Sequence, residues 1–289
     1  MNFTSRPVEQ SDVDCNINAM TIDVEDYFQV SAFNDNISLE EWSDHRCRVE
    51  SNMDRILQLF SENDVKATFF TLGWIAEKYP DVVRKIVAGG HELASHGRNH
   101  RRVFDQTPKQ FTEDISYTKN LLEDIGGVEI KGYRAASFSI DNRNLWAYDC
   151  LSKAGYQYSS SVYPVQHDHY GMPDAPRFSF FANDAGLVEI PISTVKWMNR
   201  LWPSGGGGYF RFFPYAVSRR LIRAINQKEQ RSAIFYLHPW EIDPEQPKQD
   251  NLPLKTKFRH YVNLKHTYKR LENLSKDFRW DRMDRVFSI

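Results

Sequence analysis

The chain has 289 residues and a formal net charge of −1, enough length to bury a sizeable core in one large α/β domain or two small ones. The near balance of acids and bases leaves no basic stripe for nucleic acid and no sign of an electrostatic membrane anchor. Three widely spaced cysteines, Cys15, Cys47 and Cys150, argue against a disulfide framework or a cysteine-based zinc site, and no stretch of about 18 apolar residues could span a bilayer.

Taken in order, residues 1–18 read as a polar tail without the pattern of an export signal, so a soluble, cytoplasmic chain is expected. Ala19–Phe28 starts as a strand and ends in three acids, Asp23, Glu25 and Asp26. Met53, Ile56, Leu57 and Phe60 mark one face of a helix, and a strand follows at Ala67–Leu72. A helix broken at Pro80 resumes to Gly89-Gly90, and the strand His91–Ser95 delivers His96 and His100. Thr107-Pro108-x-Gln110 is a helix start with a capping box, and that helix stops at Gly126-Gly127.

Strands are then expected over 129–135, 156–162, 187–193 and 233–237, with helices near 145–154 and 217–225 between them. An amphipathic helix over about 258–278 closes the chain, within a helical extension spanning about 255–280. Residues 163–213, rich in Pro, Gly and aromatics, read as elaborated loops. Alternating strands and helices indicate a parallel sheet or barrel, and nothing marks a second domain within 19–289.

In such folds the chemistry gathers where parallel strands end. Asp23, Glu25 and Asp26 end the first strand, and His96 and His100 follow the third. Arg134 follows the fourth and His238 the last. Two imidazoles four residues apart and one carboxylate make three ligands of a catalytic divalent metal, leaving positions open. A second carboxylate can take a proton from water and a separate His can give one to a leaving amine. The set suits hydrolysis of an amide or an ester.

With these residues assembled, the chain resembles the polysaccharide deacetylase family (the NodB homology domain, carbohydrate esterase family 4) from about residue 20 to 240. The matching motifs are Thr21-Ile-Asp23-Val-Glu25-Asp26, Gly90-His-Glu-Leu-Ala-Ser-His96-Gly-Arg-Asn-His100, Arg134 and Leu237-His238. Asp23–Phe28, Gly206–Arg211 and His238–Glu241 resemble the deacetylases encoded with exopolysaccharide biosynthesis. The resemblance implies an α/β fold, a distorted (β/α)7 barrel, and removal of N-acetyl groups from amino-sugar residues of a polysaccharide or its lipid-linked precursor. An acetylated amino-sugar glycan is the implied partner, and the oligomeric state stays open. A metal-independent cyclic-amide hydrolase and a silent polysaccharide-binding protein are the alternatives on the same fold.

Carried onto this chain, the family's roles make Asp23 the general base, His238 the general acid and Arg134 the partner of Asp23. His96 and His100 become ligands of a divalent metal, zinc first, with cobalt or nickel as alternatives. The third ligand is Glu25 or Asp26, because Val24 separates the acids; branches beginning Asp-x-Asp point to Glu25. A backbone N–H near Ala135 or Ala136 would meet the oxyanion. Tyr209 and Arg211, beside the glycine run Ser204–Gly208, are expected in the substrate groove with Leu237 and Trp240. The Asp that orients the catalytic His in the family has no counterpart here, Tyr158-Ser-Ser-Ser161 standing in its place. Gly97 also replaces the usual Ser or Thr after the first His.

Overall fold

The computed structural model describes residues 6–8, 14–167, 171–198 and 200–289. Of the tail expected over 1–18, residues 1–5 and 9–13 lie outside the described residues, while Arg6–Pro7 pairs with Phe180–Phe181 at a sheet edge. Parallel strands at Ile17–Val24, Thr68–Thr71, Glu92–Ser95, Gly132–Tyr133, Tyr158–Ser159 and Val188–Glu189 pair in that order. Ile234–Leu237 pairs with the other side of the first strand.

The remaining gap is bridged by irregular backbone. Ile192 N–H donates to Val162 O, Ser204 N–H to Ser193 O and Tyr236 N–H to Gly205 O. The ring of strands therefore closes as a distorted (β/α)7 barrel. The glycine run serves this closure, not a sugar's approach. A Cβ on Gly206, which sits at φ 119°, would lie 2.1 Å from Tyr236 O, so only glycine lets this backbone lie against the last strand.

Apolar periodicity places the helices outside. Val49–Glu62 buries Met53, Ile56 and Phe60, and Pro108–Gly126 buries Phe111, Ile115 and Leu122. The latter starts with the expected capping box and ends on Gly127 in the left-handed region. Two expectations fail in the second half. Residues 163–213 are not only loops: besides the expected strand, found at Val188–Glu189, they hold a short strand at Phe180–Phe181, the hairpin Thr194–Trp197/Arg200–Pro203 and the helix Gly207–Phe212. Two-residue strands carry too little alternation to show a period. The closing helix is two, Leu254–Tyr261 and Leu264–Asp277, because Asn263 takes a left-handed φ of 55° between them. Among the described residues, no helix is long and apolar enough to cross a membrane.

The barrel interior is a separate apolar cluster, with Phe70, Tyr158, Ile190, Ile192, Ile234 and Tyr236 among its members. The short helix Met283–Val286 plugs its lower end, placing Met283 and Val286 in the same cluster. Glu92 fastens the plug. Its carboxyl accepts from Tyr158 OH at 2.8 Å, from Thr68 Oγ1 and from Asp284 N–H at 3.2 Å, while Thr68 Oγ1 accepts from Met283 N–H at 2.8 Å.

Burial, helped by nearby Asp284, raises the Glu92 carboxyl to about 7. Between about pH 4.5 and 7 the folded chain then binds more protons at this site than the unfolded chain. Stability falls as pH rises through that window, by on the order of 2 kcal/mol. Thermal unfolding at pH 5 and pH 8 should show this fall, and Glu92→Gln should flatten it. An equal fall in the variant rules the account out.

Candidate functional site

At the carboxyl ends of the strands, Glu25, His96 and His100 converge, with one donor atom from each lying within 4.8 Å of the others. All three side chains are buried. His96 reaches in from the end of its strand and donates Nδ1–H to Arg134 O at 2.8 Å, which leaves Nε2 as the free electron pair. His100 Nδ1 hydrogen-bonds Ser31 Oγ at 3.3 Å, and Ser31 Oγ accepts from Ser137 Oγ at 2.7 Å. The loop between the histidines turns on Gly97 at φ 74°, in the left-handed region, and a Cβ there would sit 3.0 Å from Asp114 Oδ1. This conformation accounts for glycine where the family places Ser or Thr.

The donor set fits a divalent cation. Glu25 Oε1 accepts from Trp240 Nε1 at 3.1 Å, whereas the buried Oε2 accepts no hydrogen bond yet lies 2.9 Å from His100 Nε2. Glu25 Oε2 and His100 Nε2 lie close enough to ligate one cation together with His96. Two imidazoles and one carboxylate match three-ligand catalytic sites for zinc and its neighbours. Burial works to raise the Glu25 carboxyl, but His100, His238 and His96 together hold it at about 2, so it stays ionised. Burial holds the His96 imidazole at about 4, keeping it neutral and ready to ligate.

Asp26 points elsewhere. Its Oδ1 accepts from Tyr27 N–H at 2.8 Å. Its Oδ2 accepts from Arg48 N–H at 2.5 Å, Val49 N–H at 2.8 Å and Cys47 Sγ at 2.9 Å, capping the start of helix Val49–Glu62. The structure therefore withdraws Asp26 from the ligand set, because these amides consume its lone pairs.

Asp23 lies beside the cluster. Its Oδ1 accepts from Arg134 Nη1 at 2.6 Å. The Arg134 guanidinium is fully buried, lies 4.0 Å over the Phe70 ring and donates to Thr21 Oγ1, Ser160 O and Ser160 Oγ. Tyr158-Ser-Ser-Ser161 is thus a cradle for Arg134. Ser161 Oγ also accepts from Ala135 N–H at 2.9 Å, which removes that amide from the expected oxyanion donors.

His238 faces Asp23, with Nε2 3.8 Å from Asp23 Oδ2 and 3.7 Å from Glu25 Oε1. Its Nδ1 is held at 2.7 Å by Glu241 Oε1, and Glu241 Oε2 accepts from Arg211 Nε at 2.5 Å. Burial opposes a charged imidazole, but Glu25, Glu241 and Asp23 lift His238 to about 9, so it carries its proton at neutral pH. Glu241 therefore does the orienting for which the sequence shows no Asp. It also accepts from His238 N–H at 3.1 Å, completing a capping box whose three-residue spacing is visible in His-Pro-Trp-Glu.

Three residues expected in the substrate groove lie beneath the site instead. Arg211 is buried against Glu241, His260 O and Val262 O. Leu237 is fully buried in the core, its strand end packing inward. Trp240 is buried between the rings of His238 and His260, 5.3 and 4.3 Å away, so no sugar can stack on it. Tyr209 is half-buried, its ring stacked 6.2 Å from Phe213. A cleft of ≈ 610 Å³, not evident from sequence, opens beside His100; Trp42, Leu39, Arg98, Asn99 and Tyr117 are among its lining residues.

Residues 33–159 match the family described as polysaccharide deacetylase, and residues 160–288 match a domain of unknown function, DUF3473. The peptidoglycan deacetylase of Helicobacter pylori is 29% identical over 152 residues, which is 53% of this chain and 48% of that protein. The peptidoglycan-N-acetylglucosamine deacetylase of Bacillus cereus is 32% identical over 94 residues, 32% of this chain and 34% of that one. The chain thus spans about half or less of the length of these relatives. In fold it is similar to a Mycobacterium smegmatis protein described as a polysaccharide deacetylase, at TM-score 0.61 and 19% identity over 99% of this chain and 94% of the other. Residues 33–159 are therefore similar to the polysaccharide deacetylase family, and the chain as a whole shares its fold with the Mycobacterium smegmatis protein.

Proposed function

We propose that the chain removes N-acetyl groups from amino-sugar residues of a glycan, with a divalent metal, zinc first, held by Glu25, His96 and His100. The observation that carries this reading is an acid and a base facing one another at 3.8 Å beside a three-donor cluster, each fixed from behind by its own ion pair. A cation bound there would supply Lewis acidity, drawing charge from the acetyl carbonyl and making an attacking water more acidic.

Asp23 takes the water proton at Oδ2 while Arg134 holds Oδ1, which keeps the carboxylate aimed. His238 delivers the Nε2 proton to the departing amine nitrogen. Glu241 holds Nδ1–H and so presents Nε2 to that amine. Trp240 fixes Glu25 through Oε1, leaving Oε2 for the metal. The cleft beside His100 would receive the sugar chain, with Trp42 and Tyr117 offering apolar walls.

We further propose one catalytic unit over 19–289, since the base and ligands come from the first matched segment or just before it, and the acid with its support from the second. Exopolysaccharide or cell-envelope biosynthesis in the cytoplasm is the setting we infer. The three cysteines are free, as a reducing compartment allows.

The test is acetate release from acetylated chitooligosaccharide and from peptidoglycan. Activity should vanish on dialysis against a chelator and return with zinc, cobalt or nickel. Full activity in a metal-free sample would refute the metal reading, and no acetate from any acetylated glycan would refute the reaction.

A further inference from the structure

We propose that the surface formed by helices Gly207–Phe212 and Leu254–Tyr261 seats this protein on an anionic lipid bilayer. The near-neutral charge of the chain conceals an uneven distribution. Between Asp250 and Glu272 there is no acid, while Lys255, Lys257, Arg259, Lys265, Lys269 and Arg270 are all cations.

This cationic segment also carries apolar side chains that the fold leaves in water. Leu254 is 85% exposed and Phe258 57%, and Phe212 on the neighbouring helix is 53% exposed. Leu254 and Phe258 are four residues apart and so share a helix face; Lys255 and Arg259, both exposed, form the next row along it. The rings of Phe212 and Phe258 meet edge to face at 6.1 Å, joining the two helices into one apolar ridge. Exposed Phe and Leu rimmed by Lys and Arg are what an interfacial helix presents to acyl chains and anionic headgroups.

Sugar recognition fits this surface less well. Neither helix contains an Asp, Glu, Asn or Gln to hydrogen-bond hydroxyls, and the most exposed side chain is aliphatic, not aromatic. The underside of the same two helices supports the site. Arg211 of the first holds Glu241, and His260 of the second stacks 4.3 Å from Trp240. Two successive side chains, Arg211 with Glu241 or His260 with Trp240, link these helices to His238. The proposal stands on surface chemistry and does not depend on the reaction, because its readout is binding, not hydrolysis.

The test is co-sedimentation of the full chain with vesicles of phosphatidylcholine alone and of phosphatidylcholine mixed with phosphatidylglycerol. The chain should sediment with the mixed vesicles only, and less so as salt rises. Leu254→Ser with Phe258→Ser, and separately Lys255→Glu with Arg259→Glu, should each lower partitioning about tenfold or more. Both pairs should unfold at the wild-type temperature, since these side chains are exposed. The control is a second exposed aromatic feature, the hairpin bearing Trp197 and Trp202. Vesicle binding lost in Trp197→Ser with Trp202→Ser but kept in both helix variants would overturn the proposal. So would equal binding to neutral vesicles, no binding to either kind, or helix variants that lose only their capture by insoluble chitin.

Discussion

Glu25→Gln is expected to strip the chain of its divalent metal while leaving it folded. The substitution keeps the side-chain volume and can still accept from Trp240, but it removes the one negative charge among the three donors. Neutral donors bind a divalent cation far less well, so zinc affinity should fall by about a hundredfold or more. Acetate release at limiting metal should fall with it.

The neighbouring acid should behave in the opposite way. Asp26→Asn should retain zinc and lose stability, by about 1–2 kcal/mol, because its carboxylate receives the amides of Arg48 and Val49. Metal content by elemental analysis and thermal unfolding separate the two variants. Zinc lost from Asp26→Asn and kept by Glu25→Gln would reverse the assignment.

Glu241→Gln should give the second large effect, on turnover and not on metal content. The amide must offer its oxygen to the Arg211 guanidinium, which turns its NH2 toward His238 Nδ1 and opposes a proton there. The imidazole then loses both its orientation and a carboxylate that raises its pKa. We expect kcat to fall about 10- to 100-fold with KM little changed. The sign of the pH effect follows from the acid's role. His238 works while protonated and Glu241 favours the proton, so the alkaline limb of the kcat profile should move to lower pH. A variant with an unshifted limb and a normal kcat would show that Glu241 only caps its turn.

Residues carried at strand ends were legible from sequence because strands ending in acids or histidines leave few places for those side chains to go. Asp23, His96, His100, Arg134 and His238 all lie where that logic puts them. The choice between Glu25 and Asp26 was not legible. It turns on backbone amides from Arg48 and Val49, which no local pattern places beside Asp26. Arg211 reads as a groove residue because it follows the glycine run, and Trp240 because an indole can stack on a sugar. Only tertiary packing shows that one anchors Glu241 and the other anchors Glu25. The orienting role of Glu241 was half visible, since its spacing from His238 marks a cap, while its Arg211 partner lies thirty residues earlier in the chain. Of the short strands in 163–213 only the one at Val188–Glu189 was legible, because barrel closure there relies on single backbone hydrogen bonds and not on paired, alternating segments.

The plug formed by Met283 and Val286 has a consequence for how the protein is made. Strand Ile17–Val24 emerges well before its partners: its lower half pairs with Arg279–Asp281 and its upper half with Ile234–Leu237. Its final neighbours thus leave the ribosome long after it. Contacts of such long sequence separation form slowly, and until they form the interior cluster stands open to water at its base. A nascent chain paused before residue 279 would hold a nearly complete sheet around an unsealed apolar cavity, a form that chaperones would be expected to engage.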